Sequence, residues 1–449
     1  MILDRADRPS LIRVMGRVSL TAAIVNGVIG SGIFGLPSAV AALTGTWSPL
    51  AVLVAGACVF LVLLCFAEVG SRFDQAGGPY LYAREAFGPI AGFQVGWLLL
   101  VSRLLACAAA LNILIVYVGV LAPPMATPTG RVLTMTAAMA IATAINVTGI
   151  RIAAWTTNVF TVAKLLPLVL LIVVGLPQLS ARVLASQVVA NPQWREAVLL
   201  LVFAYGGFES MVIAASETRD PRKDTGPALI AAGIIVTLIY CLLQLVIVGV
   251  LPEAGRSTTP VASALREVLG GVGATIGTAA VIVSVYGWLT GFTLMMPRVL
   301  YSMATHGEIP SVLGRVHPVF RTPHVAIIAN AIVALAMGLY SSFAQAATFA
   351  AIARLTVFAS TCAALLALKR RGAPAPAFQL PGSTAIAIAG AAFSVWLLAT
   401  RSSTELWMLL AVIAAGVLLR GIKRSGQSRT RQEVSRKPDT TPTEVRRDT

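Results

Sequence analysis

Arg103, Lys164, Glu209 and Arg354 are ionisable side chains set within long hydrophobic runs. A charge in such a place needs a partner, a water-filled cavity or a proton path. At two points the backbone itself also offers chemistry. Gly27, Gly30, Ser31, Gly32 and Gly35 crowd residues 25–37, and Gly206-Gly207 interrupt the apolar stretch that runs through Phe203, Ala204 and Tyr205 to Phe208. Each glycine costs a helix about 1 kcal/mol relative to alanine. Small residues that pack membrane helices together recur every fourth position, whereas Gly30, Ser31 and Gly32 are consecutive, which predicts local unwinding. An unwound segment bares amides at the start of the following half-helix and carbonyls at the end of the preceding one. The first set attracts a carboxylate and the second an ammonium. A zwitterionic α-amino acid carries both, so the backbone alone points to that ligand class.

The side chains are read against this frame. Lys164 lies well inside the run that begins near Ala153, too deep for an easy reach to the surface, so its ammonium must find acceptors. Glu209 follows the second break directly and either holds a coupling proton or is paired with a hydroxyl or an arginine. Glu68 and Arg354 read as structural anchors. Arg103 has two readings: contact with an acidic or polar substrate, or internal pairing with Glu68 or Glu209, and the pairing is favoured. Ser102, Arg103 and Cys107 are candidates for a cavity wall, and the small residues Ala106, Cys107 and Ala110 leave room for a medium, mainly neutral side chain.

The elements that hold these residues follow from composition. The chain has 449 residues, of which 57% are hydrophobic and only 12% charged, with a mean hydropathy of +0.84. Soluble domains carry about 25% charged residues, so this chain cannot cover a water-facing surface. Apolar runs fall at about 19–43, 48–69, 89–121, 130–149, 153–176, 196–216, 227–251, 270–302, 324–341, 345–368, 383–400 and 404–420. Each is long enough to span roughly 30 Å of hydrocarbon as a helix. The expected fold is all-α and membrane-embedded, with 12 crossings of which the first and sixth are discontinuous. The breaks at Gly30 and Gly206 each open a block of five crossings, the pattern of two repeats with a binding site between them. The expected organisation is a cytoplasmic segment 1–18, a first repeat 19–176, a second repeat 196–368, two further helices in 383–420 and a disordered basic tail 421–449.

Charge supplies the orientation. The 34 basic residues exceed the 18 acidic ones, a net charge of +16. With both termini cytoplasmic, 25 of the 34 fall in cytoplasmic segments, six in outside loops and three within spans. This is the bias that holds loops inside, and it accounts for the basic balance without nucleic-acid binding. Anionic lipid headgroups are the expected partners of the tail. The five cysteines lie in apolar runs as free thiols, and His306, His317 and His324 read as loop residues. No spacing reads as a metal or cofactor site, and nothing specifies an oligomeric state.

Further motifs carry a resemblance. Gly30-Ser31-Gly32-Ile33-Phe34 resembles the first-helix signature of the amino acid–polyamine–organocation (APC) superfamily. Gly77-Gly78-Pro79-Tyr80-Leu81-Tyr82 resembles the approach to its third helix, with Gly96-Trp97 following in register. Phe203-Ala204-Tyr205-Gly206-Gly207-Phe208 resembles its broken sixth helix, and Glu217-Thr218-Arg219-Asp220-Pro221 the exit from it. Arg298-Val299-Leu300-Tyr301 and Arg321-Thr322-Pro323-His324 resemble the eighth helix and its loop. The resemblance implies a five-plus-five inverted repeat and secondary transport by alternating access. It implies that the substrate carboxylate meets Ser31, Gly32 and Ile33, and that its ammonium meets carbonyls of Val28, Phe203, Ala204 and Gly206. Phe208 falls where members carry an aromatic gate. Lys164 is similar to a lysine that replaces sodium in sodium-independent members, which implies bonds to carbonyls near Gly27 and to a hydroxyl near Ser284. Cation-transporting members tend to have a glutamate where this chain has Ser102, which argues against a lysine or arginine importer.

Other classes fit less well. No HExxH, GxSxG or paired intramembrane aspartates support an enzyme, and no filter or charged ring supports a channel. An amino acid sensor with a transporter fold, or a polyamine transporter, are the alternatives, although a polyamine has no carboxylate for the amides at 31–33. The reading is a permease of a bacterial inner membrane, sodium-independent, working by proton symport or by exchange.

Overall fold

The computed structural model describes residues 16–73, 77–148, 164–214, 218–305, 307–372 and 375–435. Its regular elements are helices, with no strand among the described residues. In chain order they are α1 (Arg17–Val28), α2 (Gly32–Thr44), α3 (Ser48–Gly70), α4 (Gly78–Phe87), α5 (Pro89–Leu121) and α6 (Pro128–Thr148), then α7 (Lys164–Gln178). After these come α8 (Ala181–Ser186), α9 (Trp194–Tyr205), α10 (Phe208–Ala214), α11 (Pro221–Val250), α12 (Pro260–Thr305), α13 (His324–Tyr340), α14 (Phe343–Arg370), α15 (Ser383–Ala399) and α16 (Ser403–Ser435). Eight stretches are long and apolar enough to cross a membrane, and four shorter apolar helices accompany them: α1, α7, α13 and α15. The first half of the expected fifth span, 149–163, and His306 lie outside the described residues.

The interior is built on α5 and α14, whose facing surfaces are small. Ala106, Ala108, Ala109 and Ala110 on α5, and Ala346, Ala347, Ala350 and Ala351 on α14, are all buried. Where helices cannot gain from water exclusion, small side chains let backbones close up and raise dispersion contact. The broken pair α9–α10 is the most enclosed of the described spans, with 78% of its apolar part buried against 6% for the Ser403–Gly421 part of α16, which lies at the edge.

Polar links between loops fall into two sets. On one face Arg17 meets Asp224 at 3.1 Å, Arg222 donates to Ser71 O at 3.2 Å, Tyr80 donates to Glu308 at 2.8 Å, and Thr322 donates to Val147 O at 2.9 Å. On the other, Arg401 is held by both oxygens of Glu196 at 2.8 and 2.9 Å. There too, Arg131 donates to the carbonyls of Gly338 and Ser341, 3.0 Å each, at the end of α13. Every one of these links joins segments that the charge pattern puts on one side.

Two boundaries differ from expectation. The eighth apolar run begins earlier, at Pro260, with an amphipathic turn that buries Val261, Ala264 and Leu265 and exposes Arg266 and Glu267. The helix then bends at Gly270, whose φ of 66° suits a residue with no Cβ. The last helix continues to Ser435, past the apolar run that ends near 420. No proline intervenes before Pro438, so nothing in the backbone forces a stop there.

Candidate substrate site

Both glycine-rich segments are interrupted helices. α1 ends at Val28, and Ile29 turns out of the helix with ψ 94°. α2 starts at Gly32 with Ser31 at its N-cap and no capping side-chain bond, so its first amides have no intrahelical partner. α9 ends at Tyr205, Gly206 is extended with ψ 157°, and Gly207 takes φ 129° before α10 begins. The two breaks touch. A Cβ on Gly207 would overlap the carbonyl of Gly27, and one on Gly32 would lie 3.0 Å from Ala204 Cα. Glycine is required at these two places because backbone meets backbone.

Lys164 closes the first break. Its Nζ donates to the carbonyl of Asn26 and, at 2.8 Å, to that of Ile29, and the residue is 3% exposed. Asn26 is among the last residues of α1, whose carbonyls have no amide partner once the helix stops. The ammonium therefore bonds the carbonyls flanking Gly27. Ser284 is not joined to it: its Oγ is buried without a hydrogen bond among the described residues. The two bonds occupy two of the three ammonium donors.

Arg354 and Glu209 close the second break. Arg354 Nε donates to Glu209 Oε1 at 2.9 Å, and its Nη1 donates to the carbonyls of Phe203 and Val202 at 3.1 and 3.3 Å. The other carboxylate oxygen accepts from Gly207 N at 2.7 Å. One guanidinium thus caps the end of α9 while one carboxylate caps the start of α10, each placed as the helix dipole favours. Gly206 makes room for this, since a Cβ there would coincide with the guanidinium. Glu209 is paired with an arginine, and both its oxygens are engaged.

Three of the four carbonyls expected to meet an ammonium, those of Val28, Phe203 and Ala204, already face protein donors. Tyr240, on α11, contacts Ala204 O at 3.1 Å and Val28 O at 3.3 Å through its hydroxyl. Phe203 O accepts from Arg354. A carbonyl has a second lone pair, so these atoms can still accept. Tyr240 was not legible as a site residue, although it is the one aromatic residue in the seventh apolar run. Phe208 packs between Phe66 and Phe358, with ring centroids 5.1 and 5.4 Å away. A small apolar crevice beside it is lined by Val28, Tyr205, Phe208 and Val236.

Arg103 corrects an expectation. It pairs with neither Glu68 nor Glu209. Glu68 is held by Arg72 at 3.6 Å and Lys369 at 3.8 Å, and Glu209 by Arg354. Arg103 instead lies over the ring of Trp288, 5.2 Å from its centroid. Trp288 is the second residue that sequence alone did not single out; a Cβ on Gly30 would lie 3.0 Å from its Nε1. Ser102 uses its hydroxyl on Ala350 O at 2.9 Å, fixing α5 to α14, and Cys107 is fully buried as a free thiol. No cluster of metal-ligating side chains occurs among the described residues. His317 Nδ1 accepts from the amides of Val319 and Phe320 in its loop.

Two interrupted apolar helices, apposed at their breaks, make the kind of site that membrane transporters build from half-helices. The chain belongs to the amino acid permease family, whose model matches residues 15–421, and so to the APC superfamily. It is 28% identical to the serine/threonine exchanger SteT of Bacillus subtilis over 71% of this chain and 75% of that one. It is 26% identical to the methylthioribose transporter of the same organism over 91% and 93%, respectively. With that organism's branched-chain amino acid permease BcaP it shares 25% identity over 92% and 94%. These relatives are transporters rather than enzymes, and the chain is an integral membrane protein.

Proposed function

We propose that this protein is a secondary active transporter that moves amino acids by alternating access, without sodium and by exchange. The observation that carries the reading is the contact between the two breaks, where the uncapped amides of Gly32 and Ile33 lie beside the carbonyl ends of α1 and α9. Its frame is twelve crossings in two inverted five-helix repeats with both termini cytoplasmic, α1–α2 and α9–α10 being the interrupted crossings. The substrate carboxylate binds Ser31, Gly32 and Ile33, and its ammonium binds the free lone pairs around Val28, Ala204 and Gly206.

Sodium independence is supported by Lys164, whose ammonium takes the α1 carbonyls that a metal cation would otherwise need. Exchange is favoured over proton symport because Glu209 has both oxygens engaged. Protonating it would break a buried pair, a disruption that costs about 3–5 kcal/mol. The excess of basic residues in the loops joined to the N-terminus supports cytoplasmic termini.

The test is uptake into proteoliposomes with each of the twenty amino acids. Uptake that needs internal amino acid, ignores an imposed pH gradient and is unchanged when choline replaces sodium is the expected result. Loss of uptake in choline sinks the role of Lys164. Uptake into empty vesicles driven by inward protons sinks exchange.

A further inference from the structure

Arg103 is a buried cation for which the described residues provide no anion. Its residue is 5% exposed, yet its guanidinium makes no hydrogen bond and no ion pair among the described residues, and Nε is buried without an acceptor. A guanidinium has five N–H donors, and one taken out of water is retained only where something answers its charge. The acids that could do so are committed elsewhere. Glu209 lies within electrostatic reach of Arg103, but its two oxygens are held by Arg354 Nε and Gly207 N at 2.9 and 2.7 Å. Glu68 is bound by Arg72 and Lys369. Glu209 therefore answers Arg354 and leaves the positive charge of Arg103 uncompensated.

The place of that charge is specific. Arg103 lies against the face of Trp288, and the indole nitrogen of Trp288 lies against Gly30, inside the first break. A single indole ring separates the guanidinium from the segment whose amides receive a carboxylate. A guanidinium placed over a ring with no protein acceptor still has its N–H groups to offer, and these can form the fork that matches a carboxylate.

We infer that Arg103 receives an anionic group on the side chain of the transported amino acid, which makes dicarboxylic amino acids, aspartate and glutamate, a substrate class of this protein. The inference rests on the amino acid transport reading and adds to it the nature of the side chain. On this reading glutamate binds with its α-carboxylate at Ser31–Ile33 and its γ-carboxylate at the guanidinium of Arg103. Glutamine has the same shape without the charge and leaves the guanidinium unanswered.

The experiment compares isosteres by competition against labelled uptake in proteoliposomes: glutamate with glutamine, and aspartate with asparagine. In the wild-type protein the acids should compete about tenfold or more better than their amides, since a site built for a polar group discriminates strongly against an analogue that leaves it unpaired. Arg103→Gln should abolish that ratio, and Arg103→Lys should retain part of it. Transport of neutral amino acids with no preference for the acids overturns the inference and leaves the transport reading intact. An Arg103→Gln protein that loses acids and amides equally also overturns it, because the guanidinium would then serve the α-carboxylate common to all. Absence of uptake of any amino acid removes both readings. The wild-type ratio decides the matter without a variant, so misfolding of Arg103→Gln cannot hide the answer.

Discussion

At the scale of the residue, the second break depends on an atom that is missing. Gly206 has no Cβ, and the volume it leaves is filled by the guanidinium of Arg354, which binds Glu209 and two carbonyls of α9. A methyl group there would push the arginine off its partners and leave a buried carboxylate unpaired, a defect worth about 3–5 kcal/mol. Gly206→Ala should therefore lower the melting temperature in detergent and abolish uptake. Gly271→Ala is the control, because no atom lies within 4 Å of the position its Cβ would take, and it should change neither. Equal effects at both sites would show that the loss at Gly206 owes nothing to Arg354.

At the scale of the element, two half-helices, α1 and α9, are tied by side chains from outside them. Tyr240 of α11 spans the end of α1 and the end of α9 through one hydroxyl, and Lys164 of α7 holds α1 alone. If the proposed alternating access moves α1 against α9, it breaks the tyrosine bridge but not the lysine bonds. Tyr240→Phe removes the bridge while keeping the ring, at a cost of about 0.5–1.5 kcal/mol for a hydrogen bond of this kind. Its expected signature is a lower melting temperature together with an altered exchange rate, read by thermal unfolding and by homoexchange. An unchanged exchange rate would mean that the bridge is not part of the moving contact.

At the scale of the whole molecule, the loop contacts sort into two faces, and the proposed topology puts the more basic one in the cytoplasm. Thr127 and Arg315 are exposed loop positions on opposite faces by this reading. In a background without native cysteines, Thr127→Cys should react with a membrane-impermeant maleimide on intact cells. Arg315→Cys should react only after permeabilisation. The reverse pattern would invert the orientation, and labelling of both on intact cells would break the parity of the crossings.

What is local could be read from the residues alone. A run of apolar residues must leave water wherever it folds, and Gly30-Ser31-Gly32 or Gly206-Gly207 weaken a helix by backbone entropy alone, so spans and breaks were legible from composition and spacing. Lys164 was legible too, since an ammonium so deep has few options beyond a bare carbonyl. The tertiary structure decided who pairs with whom. Glu209 takes Arg354 from 145 positions away, Tyr240 reaches carbonyls 36 and 212 positions away, and Arg103 is left with an indole face. Such choices depend on which helices lie side by side. That is set by the summed packing of many small residues, and no charged residue announces in the sequence which of several distant partners the packing will bring within 3 Å.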